Sequence, residues 1–283
     1  MDVEKPNLFV GVDAGGSRTV AALSRGNELV RTIEAKPANP NVVGLDAAAQ
    51  VLAHAIESVL EGESAGAIAA GVAGAGSSEV RERLRGLLQA RFPGVPLAVT
   101  HDARIALRAG LPEGDGIVVI AGTGSIAYGE VDGNEFFVGG YGYLLGDRGS
   151  GYAIGAAALR EQVDAGDREL LVRLYRLPSP VAEIAGYART VLEQAAGGDD
   201  YALRIVHEAA EDLLEMIGSI VEKCRRPALP LAFAGALLRD RNALSARLEQ
   251  RIAEEWIDVT VVDERTEPFA GALALARRLG AAL

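Results

Sequence analysis

A chain of 283 residues has room for one large domain or two of ordinary size, and 49% hydrophobic with 24% charged residues is the balance of a soluble globular protein. A formal net charge of −11, with basic residues nowhere denser than the pairs Arg225-Arg226 and Arg277-Arg278, argues against nucleic-acid binding, because phosphate backbones need a basic surface. No apolar run nears membrane-spanning length, the opening MDVEKPN has no apolar signal region, and the single cysteine, Cys224, excludes an intramolecular disulfide or a cysteine-built metal site, so a cytosolic protein with no membrane partner is expected.

Three short strands are predicted first, at Leu8–Asp13, Thr19–Ser24 and Leu29–Glu34, marked by apolar or β-branched alternation between glycine-containing turns. A helix follows over about Leu45–Leu60, with Ala49, Leu52, Ala53, Ile56 and Leu60 on one face. A strand at Ala67–Val72, a helix over Glu79–Ala90, a strand at Leu97–Thr100 and a short helix after His101-Asp102 complete the first half. The order then restarts, with strands at Ile117–Ala121, Ser125–Val131 and Glu135–Val138. Helices span about Ser150–Cys224, with breaks near Pro178-Ser179-Pro180 and Gly197-Gly198. A strand at Leu231–Ala234, a helix near Asn242–Glu254, a strand at Val259–Val262 and a helix from Pro268 end the chain. Both halves thus read βββ-α-β-α-β-α, the second with a helical insertion.

The two halves place a glycine-rich turn at the same topological point, after their first strand: VDAGGSRT and IAGTGSIA. Either turn alone suits a hairpin. As a pair they suit phosphate, because glycine lets successive N–H groups converge on one spot. Familiar nucleotide loops are excluded. The only lysines, Lys5, Lys36 and Lys223, follow Glu, Ala and Glu, so no Gly-Lys-Ser/Thr exists, and neither GVDAGG nor GVAGAG has dinucleotide-fold spacing. Two lobes, each offering a phosphate loop to a cleft between them, would make a nucleotide clamp.

The pieces GVDAGGSRT, KPANPNVVG, THDARIAL, VVIAGTGSIAYG and GGYGYLLGDRGSGYAIG run in order from residue 11 to 155, and LAFAGALL adds a weaker match later. With the duplicated plan they resemble the actin-like ATPase superfamily that includes sugar kinases and actin, and within it the N-acetylglucosamine kinase branch grouped with the BadF/BadG-type ATPases. The resemblance implies an α/β fold of duplicated ribonuclease H-like (actin-like ATPase) type, with two lobes around a nucleotide cleft. The N-terminal lobe would cover residues 1–113. The C-terminal lobe, with the second phosphate loop, the helical insertion and the adenosine site, would cover 114–283.

The resemblance also implies roles. Asp13 would hold Mg²⁺, largely through water, as suits a cation that dehydrates reluctantly; its bland alternative is a turn residue. Gly15, Gly16, Ser17 and Arg18, with Gly122, Thr123, Gly124 and Ser125, would bind the phosphates of ATP. Asp102 would be the general base, and also suits an N-cap; His101 beside it reads as structural. Asn39, Gly140, Tyr141 and Asp147 would contact the sugar, Asn41 being the fallback within an Asn-Pro turn. Gly235 and Ala236 would approach adenosine, although the second glycine and later serine usual in the family are missing from AGALLRDR. Arg148 stands where the family usually has an acid: it would either read an anionic group, such as the lactyl carboxylate of N-acetylmuramic acid, or point to solvent.

The expected activity is phosphoryl transfer from ATP, with Mg²⁺, to the 6-hydroxyl of N-acetylglucosamine or glucosamine, N-acetylmuramic acid being a third acceptor to weigh. An ATPase module driving a partner is the alternative, but the dehydratase activators of this fold bridge a 4Fe–4S cluster with two cysteines per chain, and Cys224 is alone. A sugar sensor without turnover is another alternative, although a repressor would need a DNA-binding appendage. The ROK kinases are set apart by a cysteine-rich zinc site that this chain cannot build. Oligomeric state stays open, homodimers being frequent among similar proteins.

Overall fold

Seven mostly buried residues, Leu8–Ala14, with only Phe9 and Asp13 partly exposed, form the strand β1 on which the first sheet is built. A computed structural model describes residues 7–226, 228–255, 259–262 and 266–282. Contacts divide the chain into two units, one holding the residues through Glu113 and those from Thr266 onward, the other beginning at Gly114.

In the first unit β1 is followed by β2 (Thr19–Arg25), β3 (Glu28–Ala35), α1 (Pro40–Val43), α2 (Leu45–Leu60), β4 (Ala67–Val72), α3 (Ser78–Arg91), β5 (Leu97–His101) and α4 (Asp102–Gly110). The sheet order is β3-β2-β1-β4-β5, with β1, β2 and β3 antiparallel and β1, β4 and β5 parallel. β4 reads AIAAGV and is buried at every position, as a central parallel strand covered on both faces must be. α2 brings Leu52, Ala55, Ile56 and Val59 onto the core that β1, β2 and β4 share. The sequence reading contains no α1; Asn39 caps it, its Oδ1 accepting from the Asn41 N–H at 2.9 Å, and Pro40 begins it.

The second unit repeats the plan: β6 (Gly116–Ala121), β7 (Ser125–Val131) and β8 (Asn134–Gly139), then helices α5 (Gly151–Asp164), α6 (Arg168–Tyr175), α7 (Pro180–Ala196) and α8 (Asp200–Cys224). β9 (Pro230–Ala234), α9 (Ala243–Glu255) and β10 (Thr260–Val261) follow, in the sheet order β8-β7-β6-β9-β10, the topology of the first sheet. The break between α5 and α6 was not expected; Asp167 makes it by capping α6, accepting from the Leu170 N–H at 3.1 Å. β10 is two residues long, shorter than the strand expected over Val259–Val262.

The last helix, α10 (Pro268–Ala281), packs on α4, β1 and β4 of the first unit. The lobe expected to run to 283 therefore gives up its last helix to the other unit. Glycine makes the approach possible. A Cβ on Gly11 of β1 would lie 2.5 Å from the Leu273 nitrogen, and one on Gly271 would strike the Ile105 carbonyl oxygen of α4.

Candidate functional site

In the first unit the predicted residues gather at the carboxyl ends of the parallel strands, where open α/β sheets bind ligands. β1 ends at Asp13-Ala14 and turns through Gly15–Arg18 into antiparallel β2, the Gly15 N–H closing the turn on the Arg18 carbonyl at 2.9 Å. The loop is a hairpin turn, and neither Gly15 nor Gly16 takes a positive φ. A Cβ on Gly16 would meet nothing within 4 Å, so glycine leaves open space there rather than serving a backbone requirement. Arg18 pairs with Glu34 at 2.7 Å, both more than half exposed, and such a pair is weak.

Asp13 is half-buried, and its carboxyl is pushed up to about 7, first by burial, then by the charges of Asp102 and Glu267; Arg18 opposes them. Asp102 opens α4, and burial also pushes its carboxyl up, against the His101 charge and a hydrogen bond from the Ala103 N–H at 3.0 Å. The helix cap is not Asp102, as weighed from sequence, but His101, whose Nδ1 accepts from the Arg104 N–H at 3.2 Å. His101 is 3% exposed, which fits the structural role expected of it. The Asn39 amide lies over Gly74 in the turn after β4, where φ is +83° and any Cβ would collide with it. Asn41 Nδ2 reaches the Gly74 carbonyl at 3.5 Å. Sequence reasoning missed Gly74 and Glu267. Glu267 precedes Pro268 at the start of α10, and only the packing of that helix brings its charge near Asp13.

In the second unit Gly122 and Thr123 dock their carbonyls on the start of α5, accepting from the Gly151 and Tyr152 N–H groups at 2.8 and 3.2 Å. They line a cavity of about 660 Å³ together with Ala236, Leu237, the α9 start at Asn242-Ala243 and one face of α7, including Ala185, Gly186 and Arg189. Thus the second loop and Ala236, 113 positions apart in the sequence, share one cavity. Gly235 does not line it. With φ +85° and no room for a Cβ beside the Ala121 carbonyl, it makes the turn that delivers Ala236.

Gly124, Ser125 and Asp147 form a second cluster outside that cavity. Asp147, 9% exposed and at φ +58°, accepts from the Ser125 N–H at 3.2 Å, and its carboxylate lies over the Gly124 Cα, where a Cβ would come within 2.8 Å. Burial pushes that carboxyl up and the Ser125 N–H opposes it. The Ser125 hydroxyl donates to the Arg148 carbonyl at 2.7 Å. Both donors of Ser125, expected on phosphate, are therefore engaged by the following loop. Gly140, at φ +72°, packs on Ile126, and Tyr141 is 67% exposed. Arg148 neither reaches into this cluster nor hangs free: it ion-pairs with Asp212 and Glu215 of α8.

The chain belongs to the BadF/BadG/BcrA/BcrD ATPase family, whose model matches residues 10–276. It is 28% identical, over 95% of its length and 97% of the relative's, to an N-acetylmuramic acid/N-acetylglucosamine kinase from Clostridium acetobutylicum. It is 27% identical, over the same shares, to an N-acetyl-D-glucosamine kinase from Dictyostelium discoideum. Among solved structures, a ROK family glucokinase from Streptomyces griseus, in complex with glucose and AMPPNP, matches with a TM-score of 0.66 and 19% identity over 96% of this chain and 99% of that one. That likeness shows the fold. No helix among the described residues is long and apolar enough to cross a membrane.

Proposed function

We propose that the protein is an ATP-dependent amino-sugar kinase that transfers the γ-phosphate to the 6-hydroxyl of N-acetylglucosamine or glucosamine. Membership in an ATPase family supports nucleotide use, and the names of full-length relatives support an amino-sugar acceptor. The observation that carries the reading is Asp102, a desolvated carboxylate at a parallel-strand end with Asp13 close enough to feel its charge.

In this reading Asp102 takes the proton of the 6-hydroxyl while the sugar oxygen bonds to the γ-phosphorus and the bond to the β–γ bridging oxygen breaks, releasing ADP. Desolvation raises its pKa toward the working pH, where a general base is most effective. The backbone of Gly15, Gly16 and Ser17 and the Arg18 guanidinium receive phosphate in the first unit, as Gly122, Thr123 and Gly124 do in the second. Ser125 holds Asp147 instead. Gly235 shapes the adenosine end and Ala236 lines it. Asn39, Gly140, Tyr141 and Asp147 serve the sugar, with Asn41 supporting Asn39.

The residues fit Mg²⁺. Asp13 is a carboxylate crowded by Asp102 and Glu267, and a divalent cation would relieve it. No cluster of three ligating side chains stands among the described residues, which suits an ion that keeps most of its water. Held by Asp13, it would neutralise charge on the phosphate oxygens.

The test is ADP release with Mg-ATP and N-acetylglucosamine, glucosamine, glucose or no sugar. Turnover dependent on an amino sugar supports the kinase; sugar-independent hydrolysis points to a partner-driven ATPase. Asp102→Asn should lower kcat about 10²- to 10⁴-fold while ATP and sugar still bind. Activity within tenfold of wild type would remove Asp102 from the role of base.

A further inference from the structure

The cavity of about 660 Å³ in the second unit has the size of a small-molecule site, and its lining has a direction. At one end Gly122 and Thr123 hang their carbonyls on the Gly151 and Tyr152 N–H groups. A Cβ on Gly151 would lie 3.3 Å from the Ala185 carbonyl oxygen, so α7 passes the second loop at the level of Ala185. The lining then continues along α7 to Arg189 and Glu193, about 6 and 12 Å further on at about 1.5 Å per residue. A nucleotide whose phosphates meet Gly122 and Thr123 would lay its base along that stretch.

The polar groups after Leu237 are already engaged. Asn242 Nδ2 donates to the Leu237 and Asp240 carbonyls at 2.8 and 3.0 Å, and its Oδ1 accepts from the Leu244 and Ser245 N–H groups at 2.9 and 3.1 Å. Both donors and both lone pairs of this amide are filled. It is the one side-chain amide among the described lining residues, so the paired contact by which an amide selects adenine is not available. Arg239 and Arg241 stand 3.9 Å from Asp240 and Glu249. Arg189 and Glu193 differ: both are exposed, and among the described residues neither side chain has a hydrogen-bond or ion-pair partner. A guanidinium fork offers two parallel donors, which match O6 and N7 of guanine; on adenine it meets one acceptor, N7, beside the 6-amino donor. A carboxylate only accepts, and both purines offer it N–H groups, the 6-amino group of adenine or N1 and the 2-amino group of guanine. We infer that Arg189 and Glu193 meet the nucleobase and make the donor site tolerant of guanine, so that GTP serves beside ATP. The inference rests on the proposed phosphate role of Gly122 and Thr123 and goes beyond the kinase reading, which assigns no contact to the base. Because both side chains are exposed, each contact changes affinity by roughly three- to tenfold, the low end for paired readout.

The experiment is calorimetric titration of the whole protein with Mg-ADP and with Mg-GDP, no sugar being present. In wild type the Kd for GDP should lie within about tenfold of that for ADP. Arg189→Ala should raise the ratio of the GDP Kd to the ADP Kd by about three- to tenfold. Arg189→Lys keeps the charge and loses the fork, and should raise the ratio as far. Arg189 is exposed, so neither change disturbs the core. GDP binding more than tenfold weaker than ADP in wild type, a ratio unmoved by alanine, or a wild-type ratio restored by lysine would each overturn the inference and leave the kinase reading intact. If neither diphosphate binds, the inference falls together with the phosphate role of Gly122 and Thr123. Because the titration needs no sugar, binding of both nucleotides without turnover of any sugar would overturn the kinase reading and leave this inference standing.

Discussion

Asp13 is held where its charge is unfavourable. Its folded pKa of about 7 stands above its ordinary 3.8 because burial and two neighbouring acids penalise the ionised form. The sign follows from proton binding. Between about pH 4 and 7 the folded chain holds a proton that the unfolded chain has released, so stability falls as pH rises through that window. Asparagine imitates the protonated form. Without metal, Asp13→Asn should therefore gain stability relative to wild type as pH goes from 5 to 8, by a few kcal/mol at most, seen as a growing difference in melting temperature. Parallel melting curves for the two proteins would show that Asp13 carries no such penalty. The residue types needed here were legible in the sequence: Asp13, Asp102 and the paired glycine loops all fall at strand ends. The sources of the electrostatics were not, because Glu267 lies 254 positions from Asp13 and the Asp212 and Glu215 that occupy Arg148 lie on a helix with no motif of its own.

Elements show the same division. The bounds of α2 follow from the apolar period of its buried face, and those of β4 and β7 from short apolar runs between flanking glycines. The single turn α1 and the break before α6 depend on the caps Asn39 and Asp167, local hydrogen bonds that periodicity does not register. Glycines inside helices separate by their surroundings. Gly271 of α10 meets the Ile105 carbonyl, and its Cβ would stand 2.6 Å from the Ala109 nitrogen, whereas Gly86 of α3 faces open space. Gly271→Ala should cost about 1–3 kcal/mol by forcing α10 off α4. Gly86→Ala should gain about 0.5–1 kcal/mol by lowering the entropy of the unfolded chain. Chemical denaturation of both variants checks the pair, and equal effects would mean that helix propensity, not the crossing with α4, governs Gly271.

At the scale of the molecule the chain is a duplicated β-sheet plan whose last helix crosses back to the first half. α10 covers β1 and β4 beside α4, so a chain stopped at residue 265 should leave the face that carries Phe9, Gly11, Ala67 and Ala69 bare, Ala67 and Ala69 being buried in the intact protein. Calorimetry should then show the first unit's cooperative transition lost, and dye binding should report exposed apolar surface. An unchanged melting profile would mean that the helix merely decorates the unit. The sequence by itself determined the succession of strands within each half, the paired loops and the exclusion of lysine-based nucleotide loops and of cysteine-built metal sites, because hydrophobic period, glycine placement and residue counts are local properties of the chain; the family showed through the likeness of its motifs. Tertiary structure alone decided that α10 belongs to the first unit, that Gly122, Thr123 and Ala236 share one cavity, that His101 rather than Asp102 caps α4, and that Arg148 is bound to α8. Those outcomes turn on which distant surfaces exclude water together and which charges meet when they do, and linear spacing carries no record of either.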